Sequence, residues 1–270
     1  MRLIKSSVEI IPQQSGLING YKHIEKAARN CYKSEDKITD ESYKTMMDIL
    51  STKGHMSPLE HCAIYLTMQW DLSAWKRYTI NPFSVIKITE GFLYISTNLR
   101  VIVENGWQND LNYITDPTPN HELRVTAKVI CSEGIAREWN RHRTMSISQQ
   151  STRYCNYSKD KFGNELTFVI PEWVKTYMKN KQYSLVEQWC ETLENCEVDY
   201  MSLISSGLKP QEARSVLVLD TATCVFYSAY VKDWQKFFEL RCSSAAHPDI
   251  RILADDLKQQ MVENGYISSL

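Results

Sequence analysis

Arg141-His142-Arg143-Thr144-Met145-Ser146-Ile147-Ser148-Gln149-Gln150-Ser151-Thr152-Arg153-Tyr154 is the stretch whose side chains most plainly belong to chemistry. Three cationic or titratable groups are followed by residues carrying hydroxyls, amides and, at Arg153, a guanidinium. Too few apolar groups are present to supply a core, and Lys and Glu do not alternate as on a solvated helix. Arginine forks match phosphate geometry, and Ser and Gln donate and accept around a heteroaromatic ring. Residues 137–153 hold four Arg against one Glu. The opposing reading is a surface arginine cluster paired with Glu138, because exposed ion pairs are common and contribute little. Arg, Ser, Gln and Arg recurring without an apolar stripe favour an anion held beside a polar ring edge.

Three other groupings carry functional side chains. His55-Met56-Ser57-Pro58-Leu59-Glu60-His61 is a turn-rich loop. Its histidines lack the H-x-x-x-H spacing that puts two imidazoles on one helix face, and Pro58 interrupts it, so cofactor contact fits better than a metal. Pro210-Gln211-Glu212-Ala213-Arg214 reads as a helix start whose acidic residue suits the dipole, with a surface ion pair as the plainer account. Phe237-Phe238-Glu239-Leu240-Arg241 ends an apolar helix, where an Arg ordinarily snorkels or caps. Ala246-His247-Pro248-Asp249-Ile250-Arg251 follows it. No glycine-rich phosphate loop and no G-x-S-x-G elbow occurs, and there are only nine glycines, so a nucleotide would be gripped by side chains.

The elements that must position these groups follow from periodicity. Strands are expected over 2–11, 62–69, 123–132, 166–170 and 216–230, with a further pair over 84–97 broken at Glu90-Gly91. Helices are expected over 18–32, 41–53, 98–105, 133–141, 182–206, 231–241 and 248–263, with a short one from Pro210. Thr39 or Asp40 is expected to cap the second helix, and Asp71 or Ser73 to open one holding Trp75 and Tyr78. Residues 107–121 read as a loop able to move. Strands and helices without strict βαβ alternation predict a mixed α/β (α+β) fold: one domain over 1–270, a central mixed sheet and flanking helices.

Composition is that of a soluble globular protein, with 43% hydrophobic and 23% charged residues. A net charge of −1 argues against a dedicated nucleic-acid binder. No apolar run approaches the roughly 18 residues that span a bilayer, so no membrane partner is expected. Eight cysteines, none spaced C-x-x-C, argue against structural zinc. With no apolar leader they read as reduced thiols in the cytoplasm.

On these residues the chain resembles the flavin-dependent thymidylate synthases. Their signature is Arg-His-Arg, seven residues and Ser, here Arg141-His142-Arg143 and Ser151, with Arg153-Tyr154 in register. The resemblance extends to Ala28-Arg29-Asn30-Cys31-Tyr32, the His55–His61 loop, Glu212-Ala213-Arg214 and Leu240-Arg241 with the residues after it. It implies dUMP held by Glu138, Arg141, Gln149, Gln150, Ser151, Arg153, Arg214 and Arg241. Arg241 would be catalytic, favouring ionisation of the uracil at N3. FAD would be contacted by Ser57, Glu60, Arg141, His142, Arg143, Gln149, Lys232 and Lys236. The implied reaction takes dUMP to dTMP, with 5,10-methylenetetrahydrofolate giving the carbon and FAD, reloaded by NADPH, the reducing equivalents. A homotetramer with active sites shared between subunits is implied, so that Ser57 and Arg141 meet across an interface. Lys232 and Lys236 stand where family members often carry Arg and Asn, and Ala245 where a His is common.

No cysteine nucleophile is expected: a folate-reducing synthase needs an activated Cys, usually after Pro, and none of the eight follows Pro. Ser151 has no adjacent base and is read as a binding residue. Two rivals remain. A nucleotide- or RNA-binding protein would use the local positive charge but lacks an aromatic stacking platform near Arg141. A flavoenzyme acting on another pyrimidine would use the same scaffold.

Overall fold

The chain opens with two short strands rather than one, β1 (Arg2–Ile4) and β2 (Ser7–Ile10), in a computed structural model that describes residues 1–268. Helix α1 (Leu17–Asn30) buries Ile24, Ala27 and Ala28 of the expected stripe, whereas Ile18 stays exposed. Helix α2 (Ser42–Lys53) ends at Gly54, whose φ of 66° suits a residue without Cβ. Its start is not capped by Thr39 or Asp40. Instead the Thr39 amide donates to the Ser42 hydroxyl, which donates in turn to Glu25.

Strands β3 (Ala63–Gln69), β4 (Val85–Thr89) and β5 (Phe92–Asn98) form an antiparallel sheet in the order β3-β5-β4. Between them α3 (Leu72–Ile80) starts at Asp71, whose carboxylate accepts the Ala74 amide at 2.7 Å. Glu90 and Gly91 both adopt positive φ, as a two-residue hairpin turn requires. Helix α4 (Leu99–Glu104) follows β5 directly. Residues 107–121 are tied down: a single 3-10 turn at Gln108–Tyr113 carries Asp110, which accepts from Arg77 at 2.6 Å and Tyr78 at 2.8 Å.

The main sheet uses β2, β6 (Arg124–Ser132), β7 (Ser146–Gln149) and later β9. Helix α5 (Glu133–Trp139) lies between β6 and β7. After β8 (Thr167–Val169) come α6 (Glu172–Lys179), α7 (Tyr183–Ser205) and α8 (Pro210–Ala213). The run expected as strand from 216 becomes β9 (Ala222–Tyr230) only at Ala222, because Val216, Leu217 and Val218 pack with α7 residues in a separate apolar cluster. Helices α9 (Val231–Arg241) and α10 (Pro248–Glu263) end the described fold.

The mixed α/β class holds, but the central sheet is not mixed. Its order is β2-β6-β9-β7, antiparallel throughout, and parallel pairing among the described residues is confined to β1 with β8. Strands β6 and β9 pair over nine residues, Arg124 facing Tyr230 and Ser132 facing Ala222. One face of this sheet packs on α5, α9 and α10 through Val125, Ala127, Val225, Tyr227, Trp139, Trp234 and Phe237.

The other face carries a buried polar network beside a small apolar cluster of Ala27, Cys224 and Phe226. His61 bonds Ser228 at 2.7 Å and Ser148 at 2.9 Å, Ser228 meets Thr126 at 2.6 Å, and Thr126 meets His23 at 3.0 Å. Asn30 donates to the carbonyls of Ser148 and Cys224. Burial pulls both imidazoles down, His23 to about 4 and His61 to about 3. The unfolded chain takes up these protons near pH 6.5, whereas the fold resists them. The stability these two groups contribute is therefore complete above about pH 6.5 and declines as pH falls toward 4. The thermal midpoint should follow that curve. His61→Gln should lower it at pH 7.5 yet flatten the decline between 6.5 and 4; an unchanged slope would refute a neutral buried His61.

Candidate active site

Ser132 caps α5 by accepting the Ile135 amide. The helix stops at Trp139, two residues before the expected end, and Arg141-His142-Arg143 forms a tight turn. The Arg141 amide donates to the Glu138 carbonyl, His142 to Trp139, and Met145 to His142. Trp139 anchors the turn: it is fully buried and stacked on Tyr227 at 4.9 Å and Phe237 at 4.5 Å. Arg141 and Arg143 remain exposed. His142 is half-buried, edge-on to Phe237.

Arg241, the last residue of α9, reaches this turn from about a hundred residues away. Its Nε donates to His142 Nε2 at 2.9 Å, its Nη1 to a Glu138 carboxylate oxygen at 3.2 Å, and its Nη2 to the Glu138 carbonyl at 2.9 Å. The two side chains are 18% and 34% exposed, enough for a ligand to reach them. Burial, with the Arg241 charge second, lowers the His142 pKa below the usual imidazole range.

A second cluster lies where β7 meets α5. Gln149 donates to Glu133 at 3.0 Å and to Thr223 at 3.4 Å, and accepts from Asn140 at 3.1 Å. Tyr227 donates to Asn140 at 2.8 Å, tying this cluster to the residue that stacks on Trp139. Burial pushes the Glu133 carboxyl up, against hydrogen bonds from Thr223 and Gln149 and the charges of Arg137 and Arg214. Arg214 donates to Thr152 at 3.3 Å. Arg153 lies over the Tyr154 ring, and the Ser151 hydroxyl accepts the Arg153 amide.

The expected dUMP set is thus gathered in part. Glu138 and Arg241 meet directly, Arg141 is on the same turn, and Gln149, Ser151 and Arg153 lie along β7 and the segment after it, which Arg214 reaches from the end of α8 through Thr152. Gln150 stands apart. It is buried, and it lines a cavity of about 590 Å³ with Tyr157, Lys161 and Cys224 rather than joining Gln149.

The expected FAD set divides into two groups. Arg141, His142, Arg143 and Gln149 belong to the turn and β7. Glu60 and Lys232 converge elsewhere: Arg124 donates to the Glu60 carbonyl and to Ser146, and stacks on Tyr230 at 4.9 Å, while Lys232 lies over the same ring at 5.5 Å. The Glu60 carboxylate is paired with Arg100 at 2.6 Å. Ser57 is exposed at the start of the 3-10 turn Ser57–His61, which His61 fastens to β7. His61 thus ties this loop to β7 within the chain, whereas Ser57 and Arg141 are not brought into contact. Lys236 is exposed, 4.0 Å from Asp233. Lys232 lies in the first turn of α9 and Arg241 ends it, about 13 Å apart along the axis.

Sequence reasoning missed Glu133, Asn140, Thr223 and Arg124. Glu133 and Arg137 are one helical turn apart in the segment expected to be helical, a signal that could have drawn attention to the first. Arg124 has no local signal, because its partners come from three other segments.

Residues 111–264, more than half of the chain, match the family described as "Thymidylate synthase complementing protein". The chain belongs to that family. A flavin-dependent thymidylate synthase from Pyrococcus furiosus is 29% identical over 175 residues, covering 65% of this chain and 68% of that protein. The enzyme of that name from Aquifex aeolicus is 22% identical and spans 92% of this chain and 96% of its own. A UMP/dUMP methylase from Streptomyces cacaoi, solved with 5-Br dUMP, gives a TM-score of 0.48 at 17% identity over 97% of this chain and 93% of that one. The thymidylate synthase complementing protein match begins at Leu111, so it takes in the whole Arg141–Tyr154 stretch, Arg214 and Arg241, but not Ser57 or Glu60.

Proposed function

We propose that this chain converts dUMP to dTMP, taking the carbon from 5,10-methylenetetrahydrofolate and reducing equivalents from FAD reloaded by NADPH. Its class, a flavin-dependent methyltransferase enzyme, follows from the family and from relatives named flavin-dependent thymidylate synthase. The observation that carries the reading is the meeting of Arg241 with Glu138 and His142: a cation, a carboxylate and an imidazole gathered from remote segments at a partly open surface.

The donor chemistry fits FAD. Arg141, Arg143, Lys232 and Lys236 are exposed cations suited to phosphates, and Arg124, between Glu60 and Tyr230, keeps a buried Nε without a partner among the described residues. Two groups at opposite ends of α9 suit an extended dinucleotide. When bound, the flavin supplies the redox chemistry. The chain's own part is to bind and orient. Arg141, Arg153 and Arg214 hold the nucleotide phosphate, Gln149 and Ser151 bond its polar edges, and Arg241 offers its spare N–H groups to the pyrimidine, stabilising negative charge there.

No cysteine enters this scheme. Burial raises all eight thiols, Cys62 to about 12 and Cys155 and Cys224 to about 11, so none is poised as thiolate. Ser151 likewise binds rather than attacks, since its hydroxyl accepts a backbone amide and has no base bonded to it among the described residues. Ser151→Ala should retain turnover at raised dUMP, its KM up about tenfold for one lost hydrogen bond to a charged ligand. Complete loss with unaltered dUMP binding would make Ser151 catalytic.

Purified protein should be yellow and should form dTMP only when dUMP, methylenetetrahydrofolate and NADPH are all present. Colourless protein that binds RNA, or flavoprotein that methylates another pyrimidine, would overturn the reading. We further propose a homotetramer with shared active sites. The apolar surface at Ile80, 81% exposed, and Phe83, 61% exposed, supports association. Sedimentation should give four chains per particle; a monomer active at all dilutions would refute it.

A further inference from the structure

His142 meets the Arg241 guanidinium through Nε2, and this contact fixes what the imidazole must be. Arginine N–H groups only donate, so a nitrogen bonded to one at 2.9 Å must be bare. The ring is then neutral, with its proton on Nδ1. Glu138 completes the clamp, its carboxylate accepting from Nη1 and its carbonyl from Nη2. Three acceptors on one short segment thus bind all three guanidinium nitrogens. One N–H on each terminal nitrogen is left over for a ligand. Phe237, packed edge-on to the imidazole at 4.9 Å, limits rotation of the ring, and the backbone bond from His142 to Trp139 fixes the turn that carries it.

We propose that His142 is a positioning residue for Arg241, acting as a neutral hydrogen-bond acceptor that sets the guanidinium plane against the dUMP site. Arg241 as a dUMP contact rests on the proposed function above. The charged group against the ring is Arg241, with Glu138 beyond it; Arg141 and Arg143 are its exposed neighbours in the chain. Protonation would put a hydrogen on Nε2, abolish the acceptor and set like charges together. The clamp is therefore intact at neutral pH and opens in acid, below the usual imidazole range, in line with the lowered His142 pKa.

The test is a double-mutant cycle read by dUMP affinity in calorimetry, on flavin-loaded protein with flavin content and thermal midpoint measured for each variant. His142→Phe, which keeps bulk but removes the acceptor, should weaken dUMP binding roughly tenfold, as loss of a bond to a charged group implies. His142→Gln, whose side-chain oxygen can still accept, should recover most of that loss and should lack the extra weakening that the wild type shows as pH falls below the usual imidazole range. The nucleotide phosphate titrates alike in both proteins, so their affinity ratio isolates residue 142. In an Arg241→Ala background His142→Phe should change nothing further. An equal loss in both backgrounds would overturn the inference, because His142 would then act on its own. Arg241→Ala with wild-type dUMP affinity and turnover would instead refute the reading of the site, and the inference with it.

Discussion

Arg241→Ala should leave a folded, flavin-binding protein whose dTMP formation falls by about 2–4 kcal/mol of transition-state stabilisation, roughly 30- to 1,000-fold. The loss is large because the guanidinium is held before substrate arrives, by three bonds to Glu138 and His142, so little reorganisation accompanies charge development on the pyrimidine. Removing it also leaves a half-buried carboxylate without its ion-pair partner, which adds repulsion toward an electron-rich ring. Arg241→Lys should fall between, since an ammonium keeps the charge but cannot satisfy three acceptors and a ligand in one plane. The measurement is dUMP-dependent reoxidation of the reduced flavin together with dTMP yield. Full activity in Arg241→Ala would remove this residue from the chemistry.

Trp139→Ala should be the most damaging single change to the fold, costing about 3–5 kcal/mol. Its ring is wholly buried, stacked on Tyr227 and Phe237 and edge-on to Trp234, so truncation leaves a cavity whose aromatic walls cannot all close. For a chain of this size the thermal midpoint should drop on the order of 10 °C. The damage should extend to the site, because Tyr227 bonds Asn140, Asn140 bonds Gln149, and Phe237 braces His142. A drop in dUMP affinity should therefore accompany the lost stability, and Trp139→Phe should moderate both. A midpoint within about 3 °C of wild type would show that the aromatic stack does not hold the turn, given the usual size of buried-Trp truncations.

The sequence by itself determined whatever depends on neighbours a few residues away. Helices α9 and α10 begin and end where periodicity puts them, and the Asp71 cap and the Glu90-Gly91 hairpin form as expected. Helical period, caps and two-residue turns act over one or two turns of chain, so their signals are written contiguously. Tertiary structure alone decided the rest. Pairing of β9 between β6 and β7 brings α9 back over α5, and only then does Arg241 meet Glu138 and His142. The same pairing joins Gln149 to Glu133 and Thr223 while Gln150 lines another cavity. It also buries His23, Thr126, Ser148 and Ser228 around His61, five polar residues from separate segments that look ordinary in isolation. Strand order and side-chain hydrogen bonds are long-range and directional, and no local pattern of residue types encodes which remote partner each will find.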